Sequence, residues 1–227
     1  MMAKCGKMLV LVFMIAMFVQ DTFSVPTPQQ NAAVDPFDTI PPELKLTGWN
    51  PQNEDEKKKL ENLALIGLNK IRTDNGVKGT LMFQEQMSMW SDIMSEQFYH
   101  KMLQEGDKFN ASASAHPASQ FFTEYLEYKT EDQAGTSSTS DIVVESIRSW
   151  YKKIQEKVKN GEKKESLAIF NPDIKHVGLG LYKMTREVKG TVTSHYFFVL
   201  DFGTDAQFEK FEKEIKSAEK EIEKSGH

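Results

Sequence analysis

Val177-Gly178-Leu179-Gly180-Leu181, and beyond Gly190 the run Val192-Thr193-Ser194-His195-Tyr196-Phe197-Phe198-Val199-Leu200-Asp201-Phe202, decides the fold of this chain. In the first stretch large apolar residues alternate with glycine, the period of two that belongs to a strand. The second is dense in β-branched and aromatic residues, which pack well on a pleated surface. With Gly190 between them, the two read as an antiparallel pair. Phe121 to Tyr128 is a further strand candidate of similar composition.

Upstream of these strands the period is that of helices. Asn53 followed by Glu56 makes a helix start, and Leu60, Leu63, Ala64, Gly67, Leu68 and Ile71 recur at helical spacing until Asn75-Gly76. A second amphipathic run carries Met87, Trp90, Met94, Phe98 and Met102 and ends at Gly106. Residues 107–119 are small and polar, and Ala134 to Ser140 is a second loop. A third helix reads from about Asp141 through Ile147, Trp150, Ile154 and Val158 to Asn160-Gly161. No internal repeat is visible. Helices packed over an antiparallel sheet make an α+β protein.

The ends of the chain differ in kind from this middle. Lys4 and Lys7 precede the apolar run Met8 to Val19, and Thr22-Phe23-Ser24 supplies small residues for cleavage, the order of a secretory signal peptide over residues 1–24. Its apolar run is too short to span a bilayer. Residues 25–52 hold Pro26, Pro28, Pro36, Pro41 and Pro42 and read as an extended arm. In the tail, 204–227, Thr204 and Gln207 make a capping box before Phe208, Phe211, Ile215, Ala218 and Ile222, set in Glu and Lys. That stripe either packs on its own domain or serves self-association through Phe208, Phe211, Ile215 and Ile222.

Composition narrows the function classes. Of 227 residues, 39% are hydrophobic, enough for a core. Twenty-eight basic residues against 33 acidic ones argue against a nucleic-acid surface. Cys5 is the only cysteine, so neither a disulfide framework nor a thiolate metal site is expected. Asn110-Ala111-Ser112 is a glycosylation acceptor, in keeping with a secreted, extracellular protein that is not integral to a membrane.

The order of the pieces resembles the CAP superfamily of cysteine-rich secretory, venom-allergen and pathogenesis-related proteins. Leu68-Asn69-Lys70-Ile71-Arg72 with Gly76 and Leu81 is similar to the family's first-helix signature, H-N-x-x-R before a glycine and a leucine. Trp90-Ser91-Asp92 falls in the second helix, and Phe122-Thr123-Glu124-Tyr125-Leu126 resembles the G-E-N-L segment with only Glu and Leu kept. Ser149-Trp150-Tyr151 matches the W-Y of the third helix, Val177-Gly178-Leu179-Gly180 resembles V-G-C-G, and Tyr196 to Gly203 resembles the last strand. The resemblance places a CAP/SCP-like domain at 53–203 and implies a three-layer α-β-α sandwich, here followed by the C-terminal helix.

The family cleft usually carries two histidines and two glutamates, a set able to hold a divalent metal in many members. By position, His116 and Glu124 answer to one His and one Glu. Lys153 stands where the second Glu belongs, and Glu165 or Ser166 where the second His belongs. Zinc wants three or four such ligands, and an ammonium beside Glu124 would repel it. His100 is a replacement candidate better read as a helix-surface residue, His176 and His195 read as sheet residues, and His227 is terminal. No cofactor is therefore expected. A metal-assisted hydrolase or protease using His116 and Glu124 is the alternative. It lacks a completed nucleophile arrangement, for Ser112, Ser114 and Ser119 sit in no nucleophile elbow. The leading expectation is a non-enzymatic secreted binding protein whose partner is an extracellular protein or a lipid or sterol. Phe121, Phe122 and Tyr125, with Leu126 and Tyr128, are the candidate ligand-binding residues, and eleven methionines offer adaptable apolar walls. The competing reading is that both sets simply fill the core.

Overall fold

The computed structural model describes residues 35–37, 39–47, 53–105, 121–132, 138–188 and 191–225. Residues 1–24, Asn110, His116, the serines at 112, 114 and 119, and His227 lie outside them, as do the side chains of Met102, Tyr128 and Ile222. The elements are α1 (Glu54–Asp74), β1 (Met82–Phe83), α2 (Glu85–Glu105), β2 (Phe122–Asp132), α3 (Thr139–Lys159), β3 (Ile174–Val188), β4 (Thr191–Thr204) and α4 (Asp205–Ser225). Among the described residues no helix is long and apolar enough to cross a membrane.

The class is α+β, a sandwich with a C-terminal helix. α1 and α3 cover one face of a four-stranded sheet of order β1-β3-β4-β2, while α2 and the first turns of α4 cover the other. β3 pairs antiparallel with β4, and β4 with β2, as the alternating stretches require. The expected purely antiparallel sheet needs one correction, because β1 joins β3 in parallel through Met82↔His176 and Phe83↔Val177. A strand of two residues is too short to carry a hydrophobic period.

Local chemistry sets the helix limits. The Asn53 carboxamide oxygen accepts the N–H groups of Asp55 (3.1 Å) and Glu56 (3.3 Å), and its nitrogen donates to Glu56 Oε1 (3.1 Å). These bonds satisfy donors that a helix start leaves orphaned. Past the other ends of α1 and α3, Gly76 (φ +72°) and Gly161 (φ +95°) adopt the left-handed conformation that a side chain resists. At α4 the Thr204 N–H donates to Gln207 Oε1 (2.8 Å), and the Gln207 N–H donates to Thr204 Oγ1 (3.3 Å). That is the reciprocal capping box.

The two sheet faces are built from different materials. Toward α1 and α3, β4 sends Tyr196, Phe198, Leu200 and Phe202 into a core with Leu63, Leu68, Ile147 and Ile154. Trp150 stacks on Phe202 there, ring centroids 6.2 Å apart and 14° from parallel. Toward α2, Gly178 and Gly180 leave bare backbone, and the helix lies directly on it. A Cβ on Gly180 would sit 1.9 Å from the Ser91 carbonyl oxygen, and one on Gly178 2.6 Å from the Met87 carbonyl carbon. The alternation of glycine with valine and leucine thus places every missing side chain under one helix. Phe197 and Val199 fill the remaining space against Met94 and Phe98.

Both extensions reach this domain. Phe37, 3% exposed, occupies the notch at Gly67 of α1, where a Cβ would stand 2.1 Å from the ring. Arg148 Nε and Nη2 donate to Asp35 Oδ1 (2.8 Å) and Oδ2 (2.7 Å), which holds that carboxyl below its usual range. Ser138 and Ser140 at the start of α3 donate to the carbonyls of Leu46 and Leu44, both at 2.7 Å. They tie to this segment the first turn of a helix that starts at Thr139, within the stretch read as loop. In α4, Phe211 meets Phe121 (5.2 Å, 68°) and Trp90 (6.5 Å, 66°), while Phe208 stacks on His176 (4.7 Å, 25°). Ile215 packs at the margin of the same cluster, so Phe208, Phe211 and Ile215 lie on their own domain while Ala218 beyond them is exposed.

Candidate functional site

Strand pleating decides what Glu124 meets. Residue 126 faces α3, with Leu126 in the core on that side, so Phe122 and Glu124 share that face. Phe121 and Tyr125 point the other way, Phe121 against Phe211 and Tyr125 stacked on Phe197 (5.7 Å, 21°). The three candidate aromatic residues are therefore split between two faces, with Phe122 (45% exposed) and Tyr125 (41%) partly open to solvent.

Glu124 lines an open cleft of about 310 Å³, closed on its far side by Lys157 of α3 and by Glu162, Ser166, Leu167 and Ala168. Lys153 is exposed one turn earlier on α3 and does not line it. Glu165 is also exposed, beside the Ser166 that does. The donors described here do not suit a divalent ion. Two carboxylates flank an ammonium at Lys157, which would repel the ion as Lys153 was expected to do. Among the described residues no three His, Cys, Asp or Glu side chains are grouped to hold a metal.

The histidines within the described residues have other surroundings. His100 is exposed on α2 with Nε2 4.0 Å from Glu96 Oε1. His176 is buried, its Nδ1 taking the Gln84 amide (2.9 Å) and its Nε2 facing Asp205 Oδ1 (2.8 Å). Lys175 and His176 together hold the Asp205 carboxyl below its usual range. His195 lies on β4 with its ring edge-on to Tyr99 at 6.3 Å.

The first-helix motif does structural work beside the cleft. Asn69 donates to Leu81 O (3.2 Å) and accepts the Leu81 N–H (2.7 Å), fixing the chain that enters β1. Arg72, only 1% exposed, gives Nη1 to the carbonyls of Ile169 (3.1 Å) and Asn171 (3.0 Å), Nη2 to Ile174 (3.1 Å) and Nε to Gly79 (3.3 Å). Burial pulls this guanidinium below its usual range, and the carbonyl oxygens replace the lost water. Arg72 thereby anchors the segment that runs from the far wall of the Glu124 cleft into β3. Asn75 donates to the Tyr151 hydroxyl at 2.8 Å, tying the same helix end to α3.

A second cleft, of about 260 Å³, opens between α1 and α2 along the edge of β3. α1 contributes Lys57, Leu60 and Glu61, α2 contributes Asp92, Ile93 and Glu96, and β3 contributes Leu179, Leu181 and Tyr182. β1 pairs only with His176 and Val177, so further along β3 the edge needs other partners. The Ser88 hydroxyl accepts the Leu179 N–H (3.2 Å), and Asp92 Oδ1 accepts the Leu181 N–H (3.2 Å). The other Asp92 oxygen holds the Lys57 ammonium. Burial pushes Asp92 upward, with Lys57 opposing, and burial likewise pushes Glu61 upward. Burial pulls Lys57 down, but the bond and charge of Asp92 outweigh it and the ammonium ends above its usual range.

The chain matches no family model, no curated protein and no solved structure. The cleft residues therefore rest on their own geometry. Nothing in the sequence reading singled out Lys57, Glu61 or Glu96, and Asp92 entered it only within Trp90-Ser91-Asp92. A signal was present, because Lys57 and Glu61 are one turn apart on the face of α1 that carries Leu60 and Ala64. Charge on an apolar stripe marks either an ion pair or a lined cavity, and here both occur.

Proposed function

We propose that this chain is a secreted, non-enzymatic binding protein of the CAP kind, whose partner is an extracellular protein or a lipid or sterol. Support comes from the order of helices and strands and from the motif residues Asn69 and Arg72, which brace the cleft-bearing segments. The observation that carries the reading is the make-up of the Glu124 cleft. It combines Glu124 and Glu162 with Lys157, and adds the exposed ring of Phe122 and apolar contact from Leu167. Mixed charge beside an exposed aromatic residue suits recognition. Hydrolysis would require an oriented base and a nucleophile or metal-bound water, for which an ammonium is a poor neighbour.

Native mass spectrometry of the full chain, secreted from a eukaryotic host and kept metal-replete, tests this. The expected spectrum has no stoichiometric zinc, whether the protein runs bare or with a lipid-sized adduct, and a Phe122→Ser variant binds its captured partner or lipid more weakly. A stoichiometric zinc adduct that disappears in both His116→Ala and Glu124→Gln overturns the proposal in favour of a metal-assisted hydrolase. Retention of the protein inside the cell overturns the secreted part.

A further inference from the structure

The cleft between α1 and α2 is separate from the Glu124 cleft and shares no lining residue with it. Its charges do not cancel. Among the described residues Lys57 is its one cation, and it is bound to Asp92, which is itself engaged by the Leu181 N–H. Against that one ammonium stand three carboxylates, Asp92, Glu61 and the exposed Glu96 with His100 Nε2 4.0 Å away, in a cleft walled by Leu60, Ile93 and Leu179. The resident ammonium reports the sign of the local field, because Lys57 stays charged more firmly than usual despite its burial.

We propose that this cleft binds a small organic cation with an apolar body, its ammonium head against Glu61 and Glu96 and its hydrocarbon part along Leu60, Ile93 and Leu179. Two features on different elements agree. Glu61 loses solvation by burial, and among the described residues the charge of Lys57, already bound to Asp92, and a Ser88 hydroxyl offset only part of that loss. From β3, Tyr182 adds an aromatic ring to the wall, and the faces of such rings attract ammonium groups. Tyr182 is braced by the rings of Tyr99 at 5.2 Å and His100 at 6.0 Å.

Other ligand classes fit less well. An anion would have to displace Asp92 from Lys57 while facing two further carboxylates. A neutral lipid would cover Glu61 without replacing its lost water. A divalent ion finds no converging set of three carboxylates or imidazoles among the described residues. The volume of about 260 Å³ limits the ligand to something small, near the lower end of ligand pockets. This proposal does not depend on what the Glu124 cleft binds, nor on CAP kinship.

Calorimetric titration of the purified full chain with octylammonium and octyltrimethylammonium tests it, with octanol and octanoate as chain-matched neutral and anionic probes. The expected result is cation binding at least ~10-fold tighter than octanol, the size of one charge-assisted contact, and no detectable octanoate binding. Glu61→Gln should remove the preference for cation over octanol. Glu96→Lys, at an exposed position that folding tolerates, should weaken cation binding while leaving octanol unchanged, and it decides the matter if Glu61→Gln does not fold. Equal affinity for octanol and the cations, tighter binding of octanoate, absence of binding by any probe, or unchanged cation binding in Glu96→Lys would each overturn the proposal.

Discussion

The two faces of the sheet hold their helices in opposite ways. Against α1 and α3 the contact is between large side chains, with Trp150 on Phe202 and leucines interlocking around them. Against α2 the contact is between main chains, with Gly178 and Gly180 beneath Met87 and Ser91. Side chains can change rotamer to absorb an error of volume, and a helix backbone lying on a strand backbone cannot. The first face should tolerate conservative repacking, and the second should tolerate almost nothing at its two glycines.

The largest effect is expected where main chains touch. Gly180→Ala places a Cβ 1.9 Å from the Ser91 carbonyl oxygen, so α2 must lift from the sheet. A destabilisation of roughly 3–5 kcal/mol is expected by chemical denaturation, at the upper end for a single substitution. A loss below about 1 kcal/mol would erase the contrast between the faces. Opposite α1, Leu200→Ala should cost about 3 kcal/mol through the cavity it leaves, whereas Leu200→Met should cost less than about 1.5 kcal/mol. Equal costs for those two would mean that this face is as rigid as the other.

A third test uses the polar part of the α2 face. Asp201 is buried, and among the described residues its carboxyl accepts hydrogen bonds from the hydroxyls of Ser91 (2.7 Å) and Thr123 (2.5 Å). Burial pushes it above its usual range, against the weaker pull of those hydrogen bonds. The folded state thus holds the proton more tightly than the unfolded one. The corresponding stability is fully present below the ordinary aspartate value near ~4 and is lost as pH rises through the folded value. Protonated Asp201 can donate to Ser91, which then donates to the Met87 carbonyl 2.8 Å away. Asp201→Asn supplies a similar donor at every pH, so its melting temperature should fall less between pH 5 and pH 7.5 than that of the wild type. An unchanged slope would show that Asp201 is ionised in the fold. The smallest effect belongs to exposed Lys153, where Lys153→Ala should shift stability by no more than about 0.5 kcal/mol in thermal melts. A larger loss would mean that it reaches the Glu124 cleft after all.

Much of the fold was legible because it is written in local periods. The Val-Gly-Leu-Gly alternation, the Asn-Gly helix stops and the Thr204–Gln207 capping box each depend on residues within one turn of one another. The parallel strand β1 escaped because Met82-Phe83 has no period, and its partner lies far away in sequence. The site was less legible for the same reason. Counting from Trp150-Tyr151 pointed to Lys153, but the helix turns Lys157 toward Glu124 instead. Phe121, Phe122 and Tyr125 look like one aromatic patch in sequence, and the pleat divides them. Lys57, Glu61 and Asp92 look like solvated helix surface, and only the packing of two helices over the β3 edge brings them together.

Phe37 in the Gly67 notch bears on where an independently folding piece of this protein must begin. A fragment that starts at Asn53 would contain α1 to α4 and β1 to β4, yet it would open a slot in α1 shaped to a phenyl ring and strip Leu44 and Leu46 from the groove beside α3. It would also leave Arg148 without Asp35 and the first turn of α3 without its backbone acceptors. Phe37, Leu44 and Leu46 therefore act as a missing strip of core supplied from ahead of α1. Proteolytic trimming past Phe37 would expose sticky apolar surface on an otherwise charged molecule.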